Sequence, residues 1–213
     1  MKLPQYIYHL AEAVNWPAIR RDGLFSASSL LDRAGVVGAE RGRLERQQRL
    51  DYAVLSSGAL LRDQRPLPAK SLAGCLVGMT PAEWYALVNA HVFFWLDVGR
   101  LNRQRAACGP RPQVVLVVDT AKLVAAQAAR IALTPINTGN ARRRLARRGT
   151  ATFVPYGQWL ESAWANESAA LGTPPRPRSH PPAELTVAGS IHDVAGFVVY
   201  VKKLAAGESF TAK

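Results

Sequence analysis

Cysteine is scarce in this 213-residue chain: Cys75 and Cys108 are the whole supply. Two cysteines without metal-ligand spacing exclude a disulfide scaffold and a zinc ribbon, and read as buried thiols of a reduced, cytoplasmic protein. Long apolar runs are missing too, and none approaches the length needed to span a bilayer, so no membrane contact is expected. Met1-Lys2-Leu3-Pro4 runs directly into an extended stretch, so no secretory leader is expected. The motifs of several enzyme classes are absent: no HExxH or close His/Cys pair for a metal, no GxSxG elbow, no Walker loop and no GxGxxG. No metal is therefore expected. Internal repeats are also lacking.

Acidic residues are the other shortage. Fifteen Asp and Glu face 27 Lys and Arg, giving a formal charge of +12 and a pI near 10.4. Most of the basic residues are arginine, the side chain best suited to bidentate phosphate contacts, so nucleic acid or a dinucleotide is the expected partner. An arginine-rich codon bias would give the same composition. With 48% hydrophobic residues the chain can build one substantial core.

In order along the chain, Tyr6-Ile7-Tyr8-His9-Leu10 reads as a strand. Asn15 can cap a short helix holding Pro17, and Gly23 supplies its exit. Ser26 to Leu31 reads as a short helix, Gly38 to Leu50 as a charged one, and Ser56 to Pro68 as a loop or edge region. Pro68 to Leu76 follows as another short helix. Thr80-Pro81-Ala82-Glu83 is a capping-box helix start. His91-Val92-Phe93-Phe94-Trp95-Leu96 is an unbroken apolar strand, buried on both faces, and Gln113 to Val118 is a second central strand. Further strands are expected at Arg130 to Leu133, Thr152 to Val154, Glu184 to Val187 and Phe197 to Val201. Tyr156 to Ala170 reads as one amphipathic helix. The Pro-rich stretch Thr173 to Pro182 can only be a loop. Short helices early and strands later give an α+β pattern. One domain over 1–206 is expected, with 207–213 as a flexible tail.

Two ionisable groups stand where chemistry could use them: His9 on the first strand and Glu184 opening a late one. Either also reads as structural, His9 as a satisfied rim residue and Glu184 as a solvated strand start. Together with their flanking residues they resemble the ADP-ribosyltransferase fold, in its DarT-like branch that modifies nucleic acid. The resemblance rests on three places. Tyr8-His9-Leu10 with Asn15, Ile19 and Gly23-Leu24 looks like the first strand and helix of that branch. His91 to Trp95 resembles its aromatic central strand. Ala183-Glu184-Leu185-Thr186-Val187 with Ile191-His192-Asp193-Val194 resembles its closing motif. Most of the chain is similar to an uncharacterised bacterial family of the same superfamily, through Trp84-Tyr85, Asn89 to Trp95 and Asn137-Thr138-Gly139. The segments with which DarT grips its DNA base are not recognisable.

The resemblance implies a split-sheet α+β fold with short helices in its N-terminal half, and NAD as co-substrate. The implied activity is ADP-ribose transfer to DNA or RNA, as in a toxin or phage-defence effector, for which an antitoxin would be a partner. Glu184 would be catalytic, and an arginine, Arg62 as first choice and Arg49 as second, would meet the pyrophosphate or the Glu. His9, Tyr8, Arg49, Tyr85 and Trp95 would hold NAD, although Trp95 also reads as core. Arg142, Arg143, Arg144, Arg147 and Arg148, with Arg176, Arg178 and His180 on the Pro-rich loop, would contact nucleic acid. The same arginines also read as a solvated helix and a linker. A non-catalytic basic nucleic-acid-binding module, an NAD glycohydrolase and an RNA 2′-phosphotransferase are the alternatives. The enzyme reading requires Tyr8-His9 and Glu184 to line one cleft with an arginine between them.

Overall fold

The computed structural model describes residues 2–142 and 146–212. The first strand, β1 (Tyr6–Glu12), alternates its side chains between two buried faces. The chain then leaves the sheet for a long excursion of α1 (Trp16–Asp22), α2 (Ala27–Arg33) and α3 (Gly38–Arg46). A small hairpin of β2 (Ala53–Val54) and β3 (Leu60–Leu61), then α4 (Ala69–Ala73) and α5 (Pro81–Asn89), complete it. The expected capping box closes the start of α5, with Thr80 and Glu83 each bonding the other's backbone N–H.

The chain rejoins the sheet as β4 (His91–Trp95), and α6 (Val98–Ala107) leads to β5 (Gln113–Asp119). Then come α7 (Thr120–Gln127), β6 (Ile131–Thr134), β7 (Val154–Pro155), α8 (Tyr156–Ser162) and α9 (Ala165–Leu171). The closing strands are β8 (Glu184–Ala188) and β9 (Val198–Leu204).

Among the described residues the main sheet has seven strands in the order β7-β6-β8-β4-β1-β5-β9, each pair antiparallel. The α+β class is thus observed. Most pairs are long: β1 meets β5 over its whole length, from Tyr6↔Asp119 to Glu12↔Gln113. The β1–β4 pair is the exception, joined only at Tyr8↔Trp95. Within the one seven-stranded sheet, β1 and β4 therefore diverge beyond that pair. One face packs Ile7, Phe94, Leu116, Leu185 and Trp164 into the largest core. On the other, Tyr8, Trp95, Val115 and Phe210 form a second core. The excursion carries its own small core of Leu31, Leu44, Leu55 and Leu61.

Several local expectations change. The helix expected over 156–170 breaks at Ala163, which has a positive φ of 50°; this lets both Trp159 and Trp164 turn into the core. The strand expected over Thr152 to Val154 begins only at Val154, because Thr152 closes a 3-10 turn over Thr150–Thr152. Asn15 does not cap α1. Its amide instead donates to the Leu60 carbonyl at 2.9 Å and accepts from the Leu60 N–H at 2.8 Å, tying the hairpin to the start of α1. The charged helix stops at Arg46, because Arg49 turns inward to bond backbone carbonyls. The tail is pinned: Phe210 is buried 5.4 Å from the Tyr8 ring, and Asn102 holds both its N–H and its carbonyl.

Candidate active site

Where β1 and β4 diverge, a cavity of about 790 Å³ opens between the sheet and the helical excursion. That lies within the roughly 300–1,000 Å³ range of small-molecule sites. His9, Glu184 and Arg62 all line it. By strand alternation His9 shares the face of Phe94, whereas Glu184, opposite Trp95, points to the other face. Both line the one cavity all the same, but Tyr8 does not, so the expectation of Tyr8-His9 and Glu184 together in one cleft on one face is met only in part.

Glu184 is the first residue of β8, 3% exposed. The Thr138 N–H and hydroxyl donate to its Oε2 at 3.1 and 2.8 Å. The Thr134 hydroxyl lies 2.9 Å from the same oxygen and 2.8 Å from the Ile136 carbonyl. One hydroxyl proton cannot serve both acceptors. A proton on Glu184 resolves the conflict, which agrees with its acidity: burial pushes the carboxyl up to about 7, and the Thr138 and Thr134 hydrogen bonds only partly offset this. Oε1 has no protein partner among the described residues. The turn carrying Thr138 is braced by Arg148, whose guanidinium donates to the Thr138 carbonyl at 3.3 Å.

His9 Nδ1 sits 2.8 Å from the Phe93 carbonyl, across the opening between β1 and β4. A carbonyl only accepts, so Nδ1 carries the proton. Burial pushes the imidazolium down to about 4, against the Phe93 bond, with the Arg62 charge helping. The ring is neutral at pH 7, and Nε2 keeps its lone pair with no protein partner among the described residues.

Arg62 and Arg49 both line the cavity and are tied to other protein groups. Arg62 forms no ion pair with Glu184; its Nε donates to Glu12 at 3.2 Å and its Nη2 donates to the Gln113 side-chain Oε1 at 2.5 Å. Arg49 lines the cavity but is a structural tie, bonded to the Arg62 and Leu44 carbonyls and to Asn89 at 3.0 Å. Burial pulls its guanidinium down to about 10. Trp95 lines the cavity and donates its ring N–H to Gln104 at 2.6 Å. Two expected NAD contacts lie elsewhere. Tyr8 faces Phe210 in the second core, one residue out of phase with His9. Tyr85 is buried with its hydroxyl on the Leu67 carbonyl at 2.6 Å.

A family model matches residues 5–198 of the chain. The chain belongs to this family, described as a family of unknown function (DUF7002). The matched span contains β1, the excursion, β4 and β8, and so every group described at the cavity of this DUF7002 domain. No curated protein matches the chain.

Sequence reasoning missed Glu12, the last residue of β1. It is buried on the cavity wall and holds Arg62, Arg111 at 3.3 Å and Gln113 at 2.6 Å. Thr134 and Thr138 were missed as well. The available signals were an acid ending an apolar strand and the Asn137-Thr138-Gly139 turn.

The proposed nucleic-acid contacts divide. Arg142 and Arg147 are exposed, and Arg143 and Arg144 lie outside the described residues. Arg148 is buried against Trp84 and braces the site turn. On the Pro-rich loop, Arg176 is paired with buried Glu167 at 3.2 Å. Arg178 donates to the Glu161 and Leu160 carbonyls at 3.3 and 3.1 Å. The His180 ring lies 3.1 Å from the Pro135 carbonyl, and Trp164 donates to the His180 backbone at 2.8 Å. The loop is latched to α8, α9 and the end of β6, and none of its three named side chains lines the cavity. Among the described residues no group of three or more His, Cys, Asp or Glu could hold a metal, and no helix is long and apolar enough to cross a membrane.

Proposed function

We propose that this chain is an NAD-dependent ADP-ribosyltransferase with an ADP-ribosyltransferase-like split sheet, transferring ADP-ribose to DNA or RNA as a toxin or phage-defence effector. The observation that carries the reading is the meeting of His9 and Glu184, 175 positions apart in the chain, in one cavity of about 790 Å³ where β1 and β4 diverge. The net charge of +12 favours a polyanionic acceptor.

In this reading the bond between ribose C1′ and the nicotinamide nitrogen breaks, and its electron pair leaves with nicotinamide. The sugar passes through an oxocarbenium-like state. The free Oε1 of Glu184 faces that charge and accepts from a ribose hydroxyl, the role of preorganised electrostatics in sugar transfer. Ionised Glu184 is needed for this, and a carboxyl near pH 7 is about half ionised at neutrality. An acceptor nitrogen or oxygen forms the new bond to C1′, and its proton passes to the carboxylate or to water. His9 Nε2 accepts from a ribose hydroxyl, fixed in direction by Nδ1 on Phe93. Arg62, oriented by Glu12, meets the pyrophosphate instead of Glu184.

The test is incubation of the purified chain with isotopically labelled NAD and, separately, DNA, RNA and protein. Nicotinamide release with label on a nucleic acid, lost in Glu184→Gln, is the expected result. Release without label on any acceptor would make the chain an NAD glycohydrolase. No release with any acceptor, with Glu184→Gln indistinguishable from the parent, refutes the enzyme reading.

A further inference from the structure

The basic residues first expected to grip nucleic acid are largely occupied within the protein. Arg148 braces the site turn, and Arg176 and Arg178 latch their loop. Another basic feature lies on the cavity wall itself. Asp97 caps α6 by accepting the Arg100 N–H at 2.7 Å, directly after the strand end where Trp95 pairs with Glu184. Arg100 and Arg103 are three residues apart on that helix, hence on neighbouring positions of one face, and both line the cavity that contains Glu184.

The two are held differently. Arg100 gives its Nε to Asp97 at 2.9 Å, which fixes the stem and leaves both terminal nitrogens free to donate. Arg103 is exposed and has no ion pair or hydrogen bond among the described residues. Arg100 is also close enough to Glu184 for its charge to work against the burial that dominates that carboxyl. Two guanidinium groups with open donors, one turn apart, suit a phosphate oxygen pair better than a neutral ligand.

We propose that Arg100 and Arg103 form an acceptor-side phosphate subsite, which grips a phosphodiester of a single-stranded nucleic acid so that the adjoining nucleotide lies over Glu184. The inference deepens the transferase reading and rests on it for the acceptor's purpose; the subsite itself is read from α6. It moves target contact from the Pro-rich loop to the first turns of α6. A single strand fits because the reacting nucleotide must enter a cavity that a stacked duplex cannot.

Anisotropy of fluorescein-labelled oligothymidylate and oligouridylate with the full chain, titrated over a range of salt, tests this. Arg103→Glu and Arg100→Gln are each expected to weaken binding by about tenfold and to make the salt slope shallower by about one, as for one lost phosphate contact. Arg43→Glu, with the same charge change as Arg103→Glu on an exposed position of α3 outside the cavity lining, is expected to bind as the parent does. The relative affinity of the two oligonucleotides distinguishes a DNA from an RNA acceptor. If Arg103→Glu destabilises the fold, Arg103→Gln supplies the same comparison. Parent-like binding by the Arg100 and Arg103 variants, or failure of the parent to bind either strand, overturns the subsite. Nicotinamide release by the parent judges the transferase reading separately, so the two can fail independently.

Discussion

Replacing Glu184 with glutamine stabilises the folded chain above neutral pH and removes one component of its pH dependence. In the unfolded chain this carboxyl titrates near 4.5, and in the fold burial carries it to about 7. The folded state therefore holds the proton more tightly. Below 4.5 both states are protonated and the group is neutral in the balance. Between 4.5 and 7 the unfolded chain ionises first, so stability falls as pH rises and levels off above 7. The full loss is about 3 kcal/mol, from ~1.4 kcal/mol per tenfold change in proton affinity. Glutamine keeps an acceptor oxygen for Thr138 and places its amide where Oε1 is free, without a charge to bury. At roughly 2–4 °C per kcal/mol for a chain of this size, melting above neutral pH should rise by roughly 6–12 °C. Melting curves of the parent and Glu184→Gln from mildly acidic to mildly alkaline pH measure it. The difference between the proteins is the proper readout, because His9 works the other way. Its imidazolium is pushed down to about 4 from 6.5, so its contribution is complete above 6.5 and is lost as pH falls. Parallel curves for the two proteins would refute the assignment of a raised acidity to Glu184. The variant should also lose turnover, which would mark Glu184 as a site where stability is traded for function.

Phe210→Ala should cost about 3–5 kcal/mol, since a large ring leaves a buried site beside Tyr8; a fall in the urea midpoint with unchanged slope would show it, and no change would restore the flexible tail. Arg176→Ala strands the fully buried Glu167 carboxylate, at a cost of about 3 kcal/mol, discounted to the low end because Arg176 is partly exposed. Melting would show it, and Glu167→Gln in the same background should recover much of the loss. Gly23→Ala should be the most damaging small change. A methyl group there would sit 2.3 Å from the Ile191 carbonyl, at a φ of 103°. Loss of hydrogen-exchange protection at the Leu24–Ile191 bridge is the expected readout, and retained protection would refute it.

The sequence revealed the groups that stood out from their neighbours. His9 is an ionisable group inside an apolar strand, and Glu184 follows a Pro-rich loop that must end somewhere. Both stand at strand positions legible from pattern alone. Arginine was the point of failure. Composition suggested surface contacts for phosphate, because charged side chains are rarely buried. Arg49, Arg105 and Arg148 are nevertheless buried, and each guanidinium reaches a backbone carbonyl outside its own helical turn, those of Arg62, Ala205 and Thr138. No local pattern encodes such partners. Glu12 was overlooked for the same reason, since its acceptor role depends on Arg62 and Gln113, 50 and 101 residues away. Ala163 gave no warning of a broken helix because alanine is the best helix former, and the two flanking tryptophans decide its conformation.

The position of β1 in the sheet also governs when the site can exist. Its two neighbours, β4 and β5, arrive only after the whole excursion has been made, so the first strand synthesised must wait for partners far along the chain. Such non-local pairing slows folding, and a fragment that ends before β8 lacks the carboxylate as well as one wall of the opening. During synthesis the site therefore cannot form until Glu184 and β8 have been added, and the delay follows from strand order alone.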